Sequence, residues 1–154
     1  MLDLKLAAQF SECDKHLKRI RLAHTKMAAF MPLDAEKFQQ LDDDEIEHID
    51  QFLFRFAKLQ DAIGERVFVL LLAFLQEENL KNKPFIDILN RLEQLGLLAD
   101  KNVWLVLRKI RNDIAHQYED QPQQAAAGLN AIYAAQAALE EIYLTLKNHY
   151  LAKV

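Results

Sequence analysis

The stretch "DEIEHIDQFLFRFAKLQDAIGERVFVLLLAFLQE", residues 44–77, decides the fold, because its apolar side chains recur every three or four positions. The members of this stripe are Ile46, Ile49, Leu53, Phe56, Gln60, Ile63, Val67 and Leu70. Acidic residues in "LDDDEIE" precede it, where carboxylates complement the partial positive charge of a helix N-terminus. The pattern predicts one long amphipathic helix over about 44–77.

Gly64 lies within this predicted helix. A helical glycine costs about 1 kcal/mol relative to alanine unless its missing side chain serves a purpose. We expect that purpose to be close packing against another helix.

Four further helices flank the central stretch. The first carries the stripe Leu6, Phe10, Cys13, Leu17, Ile20, His24, Met27 and Met31 and is ended by Pro32. We expect His24 to be a core or interface histidine with a satisfied hydrogen bond. The opposite face carries Lys15, Lys18, Arg19 and Lys26, which is typical of solvated surface and also suits an RNA-binding face.

The remaining chain divides into three helices. A short one starts at Pro84 and ends near Gly96, a fourth spans about 101–118, and Asp120 and Pro122 open the last. The last helix has the stripe Leu129, Ile132, Leu139, Tyr143, Leu146 and Tyr150. Five helices with short joints and no internal repeat predict an all-α, up-and-down antiparallel helical bundle, with residues 1–154 forming one domain.

Composition narrows the function classes. The net charge of −4 excludes a globally basic nucleic-acid binder, and the single cysteine excludes an intrachain disulfide or a Cys-rich metal cluster. The longest apolar run, "VFVLLLAFL", is far shorter than the roughly 20 residues of a membrane-spanning helix. Without a recognisable targeting segment, we expect a cytoplasmic protein with no membrane partner, no cofactor and no metal.

The stretch "RKIRNDIAHQY", residues 108–118, gathers polar side chains on an otherwise apolar helix. At roughly 100° per residue, Trp104, Leu107, Ile110 and Ile114 face the core. Asn112 and His116 lie on the other side, while Arg111 sits on the border and Tyr118 follows Arg111 two turns later. These four polar residues therefore share one accessible flank.

Their chemistry suits phosphodiester cleavage. A guanidinium binds phosphate oxygens bidentately, and an imidazole passes a proton in either direction near neutral pH. In RNA the 2′-hydroxyl supplies the nucleophile, so no metal is required. Arg111 and His116 are the candidate catalytic residues, with Asn112 orienting the imidazole and Tyr118 contacting phosphate or a base.

Spacing alone also allows a plainer interpretation. Arg111 can form a surface ion pair with Asp113 or Glu119, and His116 can simply occupy a helix end, where a partly charged histidine is mildly favoured. In addition, Arg111 and His116 are five positions apart, about 140° around an ideal helix. One copy of the chain therefore does not aim both at one point, and we expect a symmetric homodimer with the two flanks facing one cleft.

The segment "RNDIAHQY" resembles the signature of the HEPN superfamily, an Arg-polar pair, three intervening residues and a His. The following x-Tyr is typical of HepT-like toxins. Similarity extends to "FAKLQDAIGERVF" at 56–68 and "ILNRLEQLGLLADKNVWLVLRKIRNDIAHQYEDQ" at 88–121, about half of the chain. The resemblance implies a HEPN-like helical bundle that forms a homodimer.

For function, the resemblance implies a metal-independent ribonuclease toxin that cleaves RNA, with tRNA and mRNA both candidate substrates, at Arg111 and His116 in the dimer cleft. A cognate minimal nucleotidyltransferase antitoxin restrains it, and Tyr118 is the candidate for adenylylation by that partner. Two alternatives stay open: a non-catalytic accessory subunit that binds substrate for a nucleotidyltransferase, and an oligomeric helical scaffold without a ligand.

Overall fold

A computed structural model describes residues 1–115 and 120–154, and all regular secondary structure in this part of the chain is helical, which confirms the predicted all-α bundle. Six helices occupy it: α1 (Leu2–Met27), α2 (Ala35–Gln39), one long helix made of α3 (Asp43–Ala62), a π-helical turn (Ile63–Val67) and α4 (Phe68–Phe74), then α5 (Phe85–Gln94), α6 (Lys101–Ala115) and α7 (Pro122–Leu151). A 3₁₀ turn (Leu80–Asn82) precedes α5. None of these described helices combines the length and hydropathy that crossing a membrane requires.

The four long helices alternate in direction. The contacts of α1 show its direction. Near its C-terminal end, His24 contacts Phe52 and Tyr133, which lie in the N-terminal parts of the long helix and of α7. Near its N-terminal end, Gln9 contacts Arg66 and Asp3 contacts Tyr150, in the C-terminal parts of the same two helices. Thus α1 runs antiparallel to both. α6 also runs antiparallel to the long helix and to α7. It meets the long helix through Trp104 with Gly64 and Arg111 with Asp61, and its C-terminal part meets the start of α7 through Ile114 with Gly128. The arrangement is an up-down-up-down bundle.

Several predicted helix boundaries are confirmed by local geometry. Asp42 accepts from the backbone N–H of Glu45 while the Glu45 carboxylate accepts from the N–H of Asp42, a reciprocal cap at the start of α3. Gly96 follows α5 with a φ of +74°, the left-handed conformation favoured after a helix. Pro122 occupies the first turn of α7.

Other boundaries differ from the prediction. α1 ends at Met27, four residues before the expected Met31, and α2 was not predicted at all. α2 is only five residues long, too short to show an apolar period, although Asp34 caps it by accepting from the N–H of Lys37. The predicted end of the fourth helix lies outside the described residues.

The predicted stripes largely form the core. In α1 and α7 they are buried except for His24, which is half-buried, and the Tyr143 hydroxyl donates to the Asp14 carboxylate at 2.6 Å across that interface. His24 has the role expected for it, with its Nε2 atom 3.2 Å from the Tyr133 carbonyl and its ring stacked on Tyr133 at 4.0 Å. In the long helix, Ile46 is an exception because it remains exposed.

Gly64 packs as closely as the sequence suggested. A Cβ atom at this position would lie 2.9 Å from the indole of Trp104, closer than van der Waals contact allows. The π-helical turn at Ile63–Val67 contains Gly64, and Trp104 also packs edge-on against Phe68 at 4.8 Å. The glycine therefore lets the Trp104 indole lie directly on the backbone of the long helix.

We predict that Gly64→Ala lowers the free energy of unfolding by about 1–3 kcal/mol, since the added methyl group displaces a buried indole. Urea denaturation measures this loss. The matched test repeats Gly64→Ala in a Trp104→Phe background, where the smaller ring leaves room and the loss should shrink. Stabilisation by Gly64→Ala, as helix propensity alone would give, would contradict the packing account.

Candidate functional site

A cleft of about 570 Å³ lies between the long helix and α6, with the segment around the 3₁₀ turn and the start of α5 at its mouth. This volume falls within the roughly 300–1,000 Å³ typical of small-molecule sites. Its polar side chains are Gln60, Asp61, Glu65, Lys83, Arg108, Arg111 and Asn112. Trp104 packs α6 against the π-helical turn. The cleft lies beside this contact and is lined there by the polar side chains.

Arg111 projects into this cleft and is held there by Asp61. The Arg111 Nη2 atom donates to the Asp61 Oδ2 atom at 3.0 Å, a contact between α6 and α3 across 50 positions of sequence. The two side chains are 33% and 41% exposed, so solvent screens the pair and its contribution to stability is small. The pair acts chiefly to position the guanidinium in the cleft.

The surface ion pair that the sequence allowed between Arg111 and Asp113 does not form. Asp113 pairs instead with Lys109 at 2.9 Å, and both side chains are largely exposed. Glu119, the other carboxylate considered, lies outside the described residues. Among the described residues, Arg111 therefore pairs across the cleft with Asp61 and not with a carboxylate on its own helix.

The remaining predicted site residues divide into two groups. Asn112 lines the same cleft as Arg111, so the structure brings these two together as the helical wheel suggested. His116 and Tyr118 lie outside the described residues. Their placement relative to Arg111 therefore remains a prediction from the sequence.

Several cleft residues were not identified from the sequence. Asp61 and Arg108 are the main ones, and Arg108 lies one turn before Arg111 on α6 with its guanidinium carbon 5.4 Å from the centre of the Phe85 ring. The spacing of Arg108 and Arg111 was a usable signal, because residues three apart share a helix face. Asp61 carried no such signal, since its partner is on another helix.

The charged residues lining the cleft are three bases and two acids: Lys83, Arg108 and Arg111 against Asp61 and Glu65. Asp61 is bound to Arg111, and Glu65 lies 3.8 Å from Arg66. The cleft is thus locally more basic than the acidic chain as a whole, as a phosphate site requires. Within the described ranges, no three His, Cys, Asp or Glu side chains are grouped to hold a metal ion.

The single cysteine does not supply a nucleophile. Cys13 is fully buried in the core, and burial together with the nearby Glu12 carboxylate raises the pKa of its thiol to about 12. The reactive thiolate is therefore not formed near neutral pH.

Comparison of the chain with protein-family models, with curated proteins and with solved structures gives no match.

We predict that Asp61→Asn frees the Arg111 side chain while lowering the free energy of unfolding by less than about 1 kcal/mol. The Arg111 Nε–H group is buried in the native protein, so its proton should exchange slowly with water and give a sharp ¹H–¹⁵N side-chain signal while the ion pair is intact. The signal should broaden in Asp61→Asn. Asp113→Asn, which breaks only the Lys109 pair, is the matched control, and an equal change in that variant would contradict the assignment.

Proposed function

We propose that this chain is a metal-independent ribonuclease toxin of the HEPN type, paired with a minimal nucleotidyltransferase antitoxin. The observation that supports it most is the Arg111 guanidinium, anchored by Asp61 at 3.0 Å in a polar cleft five residues before His116. An arginine held by a carboxylate on another helix is presented to a ligand in a defined direction. The resemblance of "RNDIAHQY" to the HEPN signature supplies the reaction class.

In the proposed reaction the RNA 2′-oxygen attacks the neighbouring phosphorus. The P–O5′ bond breaks, which leaves a 2′,3′-cyclic phosphate on one fragment and a 5′-hydroxyl on the other. His116 serves as general base and general acid: it takes the 2′-hydroxyl proton, and a proton from the imidazolium goes to the departing O5′ atom. Arg111 binds the non-bridging phosphate oxygens and stabilises the charge that develops on them. Asn112 and Tyr118 support the substrate.

A homodimer is part of the proposal, because Arg111 and His116 lie about 140° apart on an ideal helix. Two apolar side chains suited to such an interface are exposed on one side of α6: Val103 and Val106. Beside them, α7 contributes alanines to a shallow apolar groove next to Val106, namely Ala131, Ala134, Ala135 and Ala138. A second copy packed on this face would bury side chains that otherwise contact water.

The nucleotidyltransferase partner and the modification of Tyr118 come from the resemblance. Adenylylation of Tyr118 would add bulk and negative charge beside a phosphate site, which is a direct way to silence it. The net charge of −4 also suits a basic protein partner.

The decisive experiment compares RNA cleavage by wild type, His116→Ala and Arg111→Ala in the presence of EDTA. We expect wild type to cleave total tRNA or mRNA, and each variant to lose at least about 100-fold in rate, as removal of a general acid–base group or a phosphate clamp does. Lys5→Ala is the control, because it removes an exposed cation from α1, which contributes no residue to the cleft.

Cleavage retained by a folded His116→Ala variant would overturn the assigned mechanism. Intact RNA with wild type, from protein whose Tyr118 is shown by mass to be unmodified, would overturn the nuclease proposal. The alternative of a non-catalytic accessory subunit would then be preferred, and binding to a nucleotidyltransferase would test it.

For the dimer, we predict that Val106→Glu gives a folded monomer that has lost RNA cleavage, since a buried unpaired carboxylate opposes association. Sedimentation velocity measures the change, with circular dichroism as the test of folding. Lys5→Glu, a charge change at an exposed position of α1, is the control. A wild-type monomer that cleaves RNA would contradict the two-copy site.

A further inference from the structure

The uncompensated positive charge of the cleft belongs to Arg108 and Lys83 and not to Arg111. Each of the two acids that line the cleft already has an arginine nearby, 3.0 Å from Asp61 and 3.8 Å from Glu65. Asp61 binds Arg111, so the charge of that guanidinium is offset. No carboxylate in the described part of the chain forms an ion pair with Arg108 or Lys83, although both line the cleft. An anion that enters the cleft is therefore attracted to these two cations as well as to Arg111.

Lys83 has only a distant acid in its surroundings. Arg91, and to a lesser extent Lys83, lower the pKa of the Glu77 carboxyl, which Arg91 binds at 2.7 Å. Glu77 does not line the cleft. The Lys83 ammonium, on an exposed residue directly after the 3₁₀ turn, is thus left to a ligand.

The two arginines of the cleft are held by different partners. Arg108 and Arg111 are three positions apart, so they share one face of α6, with about 5–6 Å between the Cβ atoms of such neighbours. Asp61 holds the Arg111 guanidinium on the side of the long helix. The Phe85 ring lies 5.4 Å from the Arg108 guanidinium carbon, on the side of α5. The two guanidinium groups are therefore directed toward different walls of the cleft and offer two positions for an anion.

The contact with Phe85 leaves the hydrogen-bonding edge of Arg108 unused. A guanidinium stacked on a ring uses its flat face, whereas its N–H groups lie in the guanidinium plane. Within the described ranges, no other residue accepts a hydrogen bond from Arg108, and its side chain is exposed. Such a free edge matches two oxygens of one phosphate. Lys83, two residues before Phe85, adds a second positive charge to the same part of the cleft.

Two anion positions on one helix face suit a single strand of RNA. A strand that places one phosphate at Arg111 carries another phosphate one nucleotide away. The two arginines are one helical turn apart, about 5 Å along the axis, which is comparable with the separation of consecutive phosphates in one strand. A lone phosphate at Arg111 would leave the charges of Arg108 and Lys83 without a partner.

We infer that Arg108 and Lys83 form a second phosphate subsite, which binds the phosphate next to the one held by Arg111 in a single RNA strand. The inference rests on the proposed function for the identity of the polymer. Because phosphates are the same at every nucleotide, this subsite contributes affinity and register and no base preference.

The first test measures how RNA binding depends on salt. A labelled short oligouridylate is titrated into full-length His116→Ala protein, which separates binding from cleavage, and fluorescence anisotropy gives the affinity at several salt concentrations. Each phosphate neutralised on a single strand adds about 0.7 to the slope of log Kobs against log[salt]. We expect Arg108→Gln with Lys83→Ala in that background to lower the slope by about 0.7. The two substitutions should weaken binding of oligouridylate and oligoadenylate alike.

The matched control is Lys5→Ala with Lys81→Ala, which removes two exposed cations that do not line the cleft, one of them from the 3₁₀ turn just before Lys83. We expect the slope of this control to equal that of the His116→Ala parent. Circular dichroism tests the folding of every variant. An unchanged slope in the folded Arg108 and Lys83 variant, an equal fall in the control, or no RNA binding by the parent would overturn the inference.

Small substrates separate this inference from the proposed function. For the dinucleotide step that wild type cleaves, NpN carries only the scissile phosphate, whereas pNpN and NpNp add a neighbouring phosphate on one side or the other. We expect wild type to cleave one of these two roughly 10-fold or more efficiently than NpN, as a hydrogen-bonded charged group contributes. Arg108→Gln should lose that advantage.

The outcomes for the two proposals differ. Equal cleavage of NpN, pNpN and NpNp by wild type would overturn the second subsite and leave the nuclease proposal intact. RNA binding with the expected fall in slope, in a wild-type protein that cleaves no RNA, would support the subsite while overturning the nuclease proposal.

Discussion

The contact between Trp104 and Gly64 is the constraint on which the rest of the site depends. It brings α6 onto the long helix so closely that a single methyl group would collide with the indole. Because the indole is nearly completely buried, the position of α6 along and around its axis is set at this point. Arg108 and Arg111, one and two turns farther on, are thereby directed into the gap between the helices.

The π-helical turn that contains Gly64 contributes to the same arrangement. Such turns insert an extra residue and often occur at functional sites. Here the turn spans Ile63–Val67 and begins two residues after Asp61. An uninterrupted α-helix would present one regular stripe of side chains to α6. The extra residue of the π-helical turn shifts that stripe, so that one turn presents a buried apolar contact to α6 and the adjacent turn presents polar side chains.

Magnitudes distinguish the roles of the polar residues. The Asp61–Arg111 pair is exposed enough that it contributes little to stability, and its value lies in fixing a direction. Gln60 differs, because its unpaired amide is buried and costs stability. Neither residue is therefore placed where it chiefly stabilises the fold.

Sequence reasoning located part of the site and missed part of it, for identifiable reasons. Arg111 and Asn112 were recognised because a local polar cluster on an apolar helix is visible along the chain. Gln60 was counted as a member of the apolar stripe, since periodicity reports which face is buried and not whether a buried amide has a partner. Asp61 was not singled out, because nothing local distinguishes it from any surface carboxylate.

The sequence by itself determined the all-α class, the main helices, most of their caps and the faces that enter the core, because these follow from local spacing and residue type. It also indicated that Gly64 must receive a neighbour. Only the tertiary structure decided that this neighbour is Trp104 and that Asp61 holds Arg111. These pairs join residues 40 and 50 positions apart, and no local pattern encodes which residues meet when two helices pack.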